Sequence, residues 1–474
     1  MTTDHNNFED MHFAPAPELL SEVPGPRSRE LLDAQAQLES NARSYPRKVP
    51  IALAEGRGAT MRDADGNTFI DFFAGAGVLN VGHGNPAVLA AASEQQSKLI
   101  HALDFPTEPK LRLLSKLKAI LPGSLRQRPR FHFGGPTGSD AVEAALKLVR
   151  MHSSRVGIIA FQGSYHGMTE GALSVTSDTS YGGSQSTPVH FMPFPYCYRC
   201  PLGLERSSCK LACAQLLETS LSDPHSGIPK PAGVIIEPIQ GEGGTIVPPD
   251  GYLAQVRRIT AEHDVPLIFD EIQTGFARAG TMFACEHDGV SPDVMTLSKG
   301  LGGIGYPLSC IAYDERLDVW EPGAHIGTFR GHQVAMAAGS AAIDFMLQND
   351  LAAHSAELGK IAMSLLESEQ EELAAIGDIR GRGLMIGVEL VRDRDSKQPW
   401  PELAAQVRRV CCERGMIIEV GGHFSNVARF LPPLVITRSL LERGLDIFIS
   451  TLRDCERSLS GSQAQIQAPP LAQL

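Results

Sequence analysis

No stretch of this sequence approaches the roughly 18 consecutive apolar residues that a membrane-spanning helix needs, so a helical membrane protein is not expected. Residues 1–15 are polar and partly acidic and lack the charged-then-apolar layout of a secretory signal. Cysteine is sparse and odd in number, nine in 474 residues, and does not supply the even framework of a disulfide-stapled secreted domain. Positive charge is also short, with 42 Lys and Arg against 54 Asp and Glu. The resulting net charge of -12 argues against nucleic acid or an anionic membrane as the main partner. It leaves room for a small anionic ligand, which needs only one or two basic residues. The expectation from these absences is a soluble cytoplasmic protein.

What remains is an ordinary globular composition, 43% hydrophobic and 20% charged, in a chain long enough for two or three domains. Residues 1–28 hold several prolines and acids without periodicity and read as an extension. Residues 458–474, rich in Ser, Gln, Ala and Pro, read as a flexible tail. Between them, short β-rich runs alternate with helical stretches. Residues 157–161, 234–236, 267–269 and 294–297 are continuous apolar runs, the pattern of strands covered on both faces. Such an order predicts an α/β layered domain with ligands beyond the carboxyl ends of the strands. Residues 59–73, with Asp65-Gly66 as the turn, read as a hairpin of a smaller domain.

Four segments place polar residues just after those runs. Gly134-Gly135-Pro136-Thr137-Gly138-Ser139-Asp140 precedes a helix whose buried face is Val142, Ala145, Leu146 and Val149. Its glycines let backbone approach a ligand, and free N–H groups at a helix start attract an anion, although plain capping has the same sequence signature. Asp270, in Phe269-Asp270-Glu271-Ile272-Gln273-Thr274-Gly275, ends a buried strand, where a carboxylate needs a partner. A protonated pyridine nitrogen would be one, and a structural partner another. Lys299, in Ser298-Lys299-Gly300, leaves an apolar strand for a glycine turn, as a Schiff-base amine does, and as a solvated loop lysine also does. The fourth segment is Glu237-Pro238-Ile239-Gln240-Gly241-Glu242-Gly243-Gly244.

Taken in order with Tyr165-His166-Gly167, Gly327-Thr328-Phe329 and Arg429-Phe430-Leu431-Pro432-Pro433-Leu434, these segments resemble the class III, fold-type-I aminotransferases that use pyridoxal 5'-phosphate. The resemblance covers roughly residues 35 to 455. It implies a large domain with a mostly parallel sheet flanked by helices, residues 91–338. It also implies a smaller α+β domain from both chain ends, residues 29–90 and 339–457. By the same resemblance Lys299 carries the cofactor and shuttles a proton, and Asp270 partners the pyridine nitrogen. Gln273 lies near the phenolic oxygen, Gly138 and Ser139 hold the phosphate, and Tyr165, beside His166, stacks on the ring. Thr328 would reach the phosphate of a neighbouring subunit, which implies a homodimer with shared sites. Glu242 and Arg429 would form a gate in which the arginine takes a dicarboxylate and the glutamate masks it when an ω-amine donor is bound.

Two departures bear on the donor. Met168 stands where ornithine-, acetylornithine- and GABA-type members commonly carry arginine, and Ala76 stands where a carboxylate-binding tyrosine is expected. Pro136-Thr137-Gly138, Tyr165-His166-Gly167-Met168-Thr169, Tyr198-Arg199-Cys200-Pro201 and Thr328-Phe329-Arg330-Gly331-His332-Gln333 are similar to the branch that exchanges amino groups between L-2,4-diaminobutyrate and 2-oxoglutarate. Another ω-amine aminotransferase (ornithine-, GABA- or polyamine-type) and a semialdehyde aminomutase are the alternatives. A regulatory protein on the same fold would be expected to lose Lys299 or Asp270, and both are present.

Two motifs read as decoys. Gly300-Leu301-Gly302-Gly303-Ile304-Gly305 fits a dinucleotide fingerprint, but Tyr306-Pro307-Leu308 follows where a helix would have to open. Cys197, Cys200, Cys209 and Cys213 have metal-ligand spacing, yet the expectation is a set of unconnected thiols and no metal.

Overall fold

The computed structural model describes residues 8–182 and 187–467, with side chains to residue 459. Its centre is a seven-stranded sheet ordered, from one edge to the other, 129–132, 310–314, 294–297, 267–270, 233–236, 158–161 and 189–192. The last five strands run parallel, and Cys310–Asp314 is antiparallel to both its neighbours. Side-chain alternation explains why these runs are apolar throughout. Ile158, Ala160, Ile235, Ile268 and Val294 face one core with the helix Gly138–Ser153. Ile159, Phe161, Val234, Ile236, Leu267, Phe269 and Met295 face the other, which includes Val256 and Ile259 of the helix Tyr252–Glu262. In the first helix Val142, Ala145, Leu146 and Val149 are all buried, as their spacing predicts.

The strand order reverses between 158–161 and 233–236, because the chain runs to one edge from the first and towards the other from the second. A crevice at the carboxyl ends follows from that reversal. The residues that follow strands 158–161, 233–236, 267–270 and 294–297 therefore end up close together, however far apart they lie in the chain.

The predicted hairpin is present as Thr60–Asp63 paired antiparallel with Thr68–Asp71. Asp63 shapes its turn, its Oδ1 accepting from Asp65 N at 2.9 Å and Asn67 N at 2.8 Å. Met416–Ile417 adds to the same sheet in parallel beside Thr68–Asp71, so segments from opposite ends of the chain share one sheet. A third sheet contains Ile376–Arg382, Met385–Asp393, Val427–Phe430 and Glu419–Gly421. The limits expected at 90/91 and 338/339 both fall inside helices, Pro86–Gln96 and Gln333–Gln348.

The expected N-terminal extension, over its described part, is docked onto the body. Phe8 is buried against Phe345 and His354, and Glu18 bridges Thr68. At the other end the helix Arg438–Gln467 runs past Ser458, where composition suggests a tail. Leu459 packs against the main core and gives that helix a reason to continue. Residues 1–7 and 468–474 lie outside the described residues. No helix among the described residues is long and apolar enough to cross a membrane.

Candidate active site

A cavity of about 170 Å³ opens at the carboxyl ends of the central strands. Its wall contains Gly138, Ser139, Tyr165, His166, Glu242, Asp270, Gln273 and Lys299, eight residues expected from the sequence.

One end of the cavity is the start of the helix Gly138–Ser153. Thr137 caps it: its Oγ1 accepts from Asp140 N at 3.4 Å, and Asp140 Oδ2 accepts from Thr137 N at 2.8 Å. The Gly138 and Ser139 amides take no part in this cap and remain for an anion. A Cβ on Gly138 would lie 2.9 Å from Ile272 Cδ1, so any larger residue would have to displace that side chain where backbone and cavity floor approach. The cap and the free amides coexist here, so capping does not exclude anion binding.

Asp270 ends the strand Leu267–Asp270 with its carboxylate oriented by three donors. Oδ1 accepts from Thr296 Oγ1 at 2.9 Å and from Ile272 N at 3.1 Å, and Oδ2 lies 2.7 Å from His166 Nδ1. Burial works against a charged His166, but its bond to Asp270 and the charge of that carboxylate hold the imidazole pKa above its ordinary value. Two buried polar atoms in the wall, His166 Nε2 and Gln273 Oε1, have no partner within the protein. Orphaned polar groups at a buried site mark where a polar ligand completes the bonding.

Lys299 follows the strand Val294–Leu297 and sits in the left-handed region at φ 43, an unfavourable conformation for a non-glycine residue. Its ammonium pKa is pushed below the usual lysine range by burial, which outweighs the opposing charge of Glu242. A lysine amine made easier to deprotonate is what condensation with an aldehyde requires. The solvated-loop alternative does not hold. Anion-ready amides, an oriented carboxylate, a lysine amine of lowered pKa and two unpartnered polar atoms together fit an aldehyde cofactor bearing a phosphate and a basic ring nitrogen.

At the mouth, Glu242 and Arg429 pair through two bonds of 3.0 Å each. Arg429 is 2% exposed at its side chain and Glu242 33%, so the arginine is the fixed member. Behind Glu242 its loop is clamped: Gly422 N donates to Glu242 O at 3.0 Å, and Arg380 donates to the Gly244 and Thr245 carbonyls. Arg380 itself is held by Asp378 and by the buried Glu389.

Thr328 is not in this wall. It lies in the short turn Thr328–Gly331, exposed, with its carbonyl accepting from His101 Nε2 at 2.6 Å. Met168 is exposed, and its N–H donates to Ser139 Oγ at 3.2 Å. Ala76 meets the site only through its carbonyl, which accepts from Gln273 Nε2 at 3.1 Å.

Two residues without a role in the sequence reading belong to the site. Glu237, one residue beyond the strand Gly233–Ile236, accepts from Tyr165 N at 3.1 Å and Gly241 N at 3.0 Å, and burial pushes its carboxyl up to about 7. Its signal was its position, the same strand end that singled out Asp270. Thr296, which bonds Asp270, is hidden inside an apolar run and had no such signal.

Neither residues 300–305 nor the four clustered cysteines line this cavity. After Lys299–Gly302 the glycine-rich run leads to the strand Cys310–Asp314, with no helix to receive a dinucleotide phosphate. Cys197, Cys200, Cys209 and Cys213 line one small apolar pocket, and among the described residues no three His, Cys, Asp or Glu side chains group so as to hold a metal ion.

The family profile "Aminotransferase class-III" matches residues 42–452. A diaminobutyrate–2-oxoglutarate aminotransferase of Rhizobium meliloti is 41% identical over 423 residues, which are 87% of this chain and 90% of that one. A second, from Haemophilus influenzae, is 39% identical over 438 residues, 90% and 96% of the two chains. Among solved structures, an (S)-enantioselective omega-transaminase from Thermomicrobium roseum superposes with a TM-score of 0.82 at 30% identity, covering 90% of this chain and 98% of that one.

Proposed function

The chain belongs to the class-III aminotransferases, enzymes that work with pyridoxal phosphate, and we propose that it moves the 4-amino group of L-2,4-diaminobutyrate to 2-oxoglutarate. The products are L-aspartate 4-semialdehyde and L-glutamate, and the exchange is reversible. The observation that carries this reading is one cavity in which Lys299, Asp270 and an anion-ready helix start face a carboxylate–guanidinium gate. The sequence relatives supply the choice of donor.

In this reading the Gly138 and Ser139 amides hold the cofactor phosphate, Tyr165 covers one ring face and Gln273 meets the phenolic oxygen. Asp270, oriented by His166 and Thr296, faces the ring nitrogen and keeps it protonated. The bound cofactor supplies an electron sink for charge developing on the substrate carbon. Lys299 Nζ anchors the cofactor when no substrate is bound, and otherwise takes the proton from the substrate carbon and returns it. Glu242 covers Arg429 while the diamine reacts. When the keto acid enters, Glu242 withdraws and the guanidinium forks onto one of its carboxylates. A homodimer belongs to the proposal, with Thr328 serving the partner's phosphate. Its support is the exposed apolar surface around that turn, Ile326 and Phe329 beside Leu99, Ile100 and Phe105. The unpaired cysteines suit a reducing compartment, and we place the enzyme in the cytoplasm.

The test is a donor screen on cofactor-loaded protein with 2-oxoglutarate as acceptor, following glutamate and semialdehyde. Diaminobutyrate should exceed ornithine, GABA and putrescine in kcat/KM by at least about tenfold, a discrimination one pocket can supply. A better donor from that panel overturns the substrate, and turnover without an acceptor points to a mutase.

A further inference from the structure

Arg429 has a second acidic neighbour. Glu419 begins the strand Glu419–Gly421 and lies directly opposite Arg429 of Val427–Phe430 in the antiparallel register. Directly opposed residues project to the same face with Cβ atoms about 5 Å apart. Glu419 is only 4% exposed, so its charge is poorly screened by water. Its ion-pair partner is Lys48, whose Nζ lies 3.6 Å from Glu419 Oε1. Lys48 ends the one-turn helix Tyr45–Lys48, whose Tyr45 ring lies 5.3 Å from that of Phe73, two residues beyond the strand Thr68–Asp71. The charges thus alternate from the cavity outward: Glu242, Arg429, Glu419, Lys48.

We propose that Lys48 and Glu419 are the outer half of the gate, with Lys48 cancelling Glu419 so that Arg429 keeps a full positive charge for an incoming dicarboxylate. This rests on the acceptor reading given above. When Glu242 withdraws, Arg429 is left facing Glu419. With Glu419 bare, the guanidinium would already be partly neutralised, and a second carboxylate would meet repulsion in a poorly hydrated site. Lys48, paired with Glu419, removes that repulsion. Both inner partners feel the outer pair. Burial opposes the charge on Arg429, and Glu242 and Glu419 together hold its pKa above the arginine range. Burial also opposes ionisation of Glu242, while Arg429, Lys299 and then Lys48 keep its pKa low. Arg408, on the helix Pro401–Glu413, also faces Glu419 but forms no ion pair with it among the described residues. Lys48 is therefore the direct counter-charge.

Lys48 and Glu419 are positioning residues, and a charge-swap test separates this role from a structural one. Glutarate, an unreactive dicarboxylate, and butyrate, its monocarboxylate control, are titrated calorimetrically into the holoenzyme. Lys48→Met should weaken glutarate binding at least about tenfold, the scale of an unpaired buried charge. Glu419→Gln alone should leave it equal or tighter. The double variant should return to within about threefold of wild type, because removing both charges restores the balance. Lys48→Met that binds glutarate like wild type, or a double variant that stays weak, overturns the outer gate. Wild-type holoenzyme that does not prefer glutarate to butyrate overturns the acceptor reading itself. That failure is seen before any variant is made, so the two are distinguishable.

Discussion

Glu242 meets Arg429 with both carboxylate oxygens, Oε1 to Nη1 and Oε2 to Nη2, across 187 residues of sequence. The pairing satisfies the two outer guanidinium nitrogens and leaves Nε buried without a partner. This pairing occupies the guanidinium that, in the proposed function, binds the acceptor's carboxylate. Arg429→Ala should impair the 2-oxoglutarate half-reaction at least about thirtyfold, the equivalent of about 2 kcal/mol, with a much smaller effect on amine transfer from diaminobutyrate. Glu242→Ala should raise activity on α-amines such as glutamate relative to the ω-amine. Stopped-flow absorbance of the cofactor follows each half-reaction separately, and equal slowing of both by Arg429→Ala would reduce the arginine to a structural role.

Lys299→Ala should fold but lose the visible cofactor absorbance and the borohydride-stable adduct that marks the anchoring lysine. Peptide mapping after borohydride should find the adduct on Lys299 in the parent protein, and an adduct on any other lysine sinks the assignment.

Asp270→Asn should retain cofactor and lose kcat by roughly 10²–10³-fold, the usual cost of removing a preorganised electrostatic partner. His166→Phe, which frees the carboxylate without removing it, should fall between the two. A pH profile of cofactor absorbance would register both changes.

Glu237 gives a pH signature without any substrate. Its folded-state pKa is about 7, against 4.5 for an ordinary glutamate, because burial disfavours the carboxylate. The folded protein therefore binds this proton more tightly than the unfolded chain does. Stability from this group is complete below about pH 4.5 and is lost as the pH rises through 7. Urea unfolding of the cofactor-free protein should show the difference between wild type and Glu237→Gln changing by up to about 1.4 kcal/mol per pH unit inside that window. Parallel pH dependences would remove Glu237 as the source.

Replacing Cys197, Cys200, Cys209 and Cys213 together by serine should leave turnover within about threefold, since their pocket does not touch the cavity. Some loss of thermal stability is expected, because hydroxyls replace thiols on an apolar lining. Stoichiometric zinc in the purified protein, with unfolding on chelation, would reverse this assignment.

The central strands were legible because burial on both faces leaves only apolar residues, and the polar residues that follow them stand out by contrast. That contrast exposes Lys299 and Asp270, and the same rule would have exposed Glu237. Thr296 was invisible: a threonine inside a strand is ordinary, and only pairing with Leu267–Asp270 aims its hydroxyl at Asp270. Lys48 and Glu419 were equally silent, since their meeting depends on the packing of a one-turn helix against a distant strand. The end of the last helix was misplaced because composition describes solubility, while Leu459 found a place in the core.

The sheet shared by Thr68–Asp71 and Met416–Ile417 has a consequence for how the protein comes into being. On a ribosome, Lys299 and its surrounding strands emerge long before residue 416, so a nascent chain holds the residues that wall the cavity from the central sheet while its N-terminal hairpin still lacks an edge partner. Arg429 follows thirteen residues after Met416, on the next strand but one. Sealing that edge and delivering the guanidinium to Glu242 are thus nearly one event, among the last in the birth of the molecule. A product terminated before it would contain Lys299 and Asp270 and still lack the arginine that, in the proposed function, tells a diamine from a dicarboxylate.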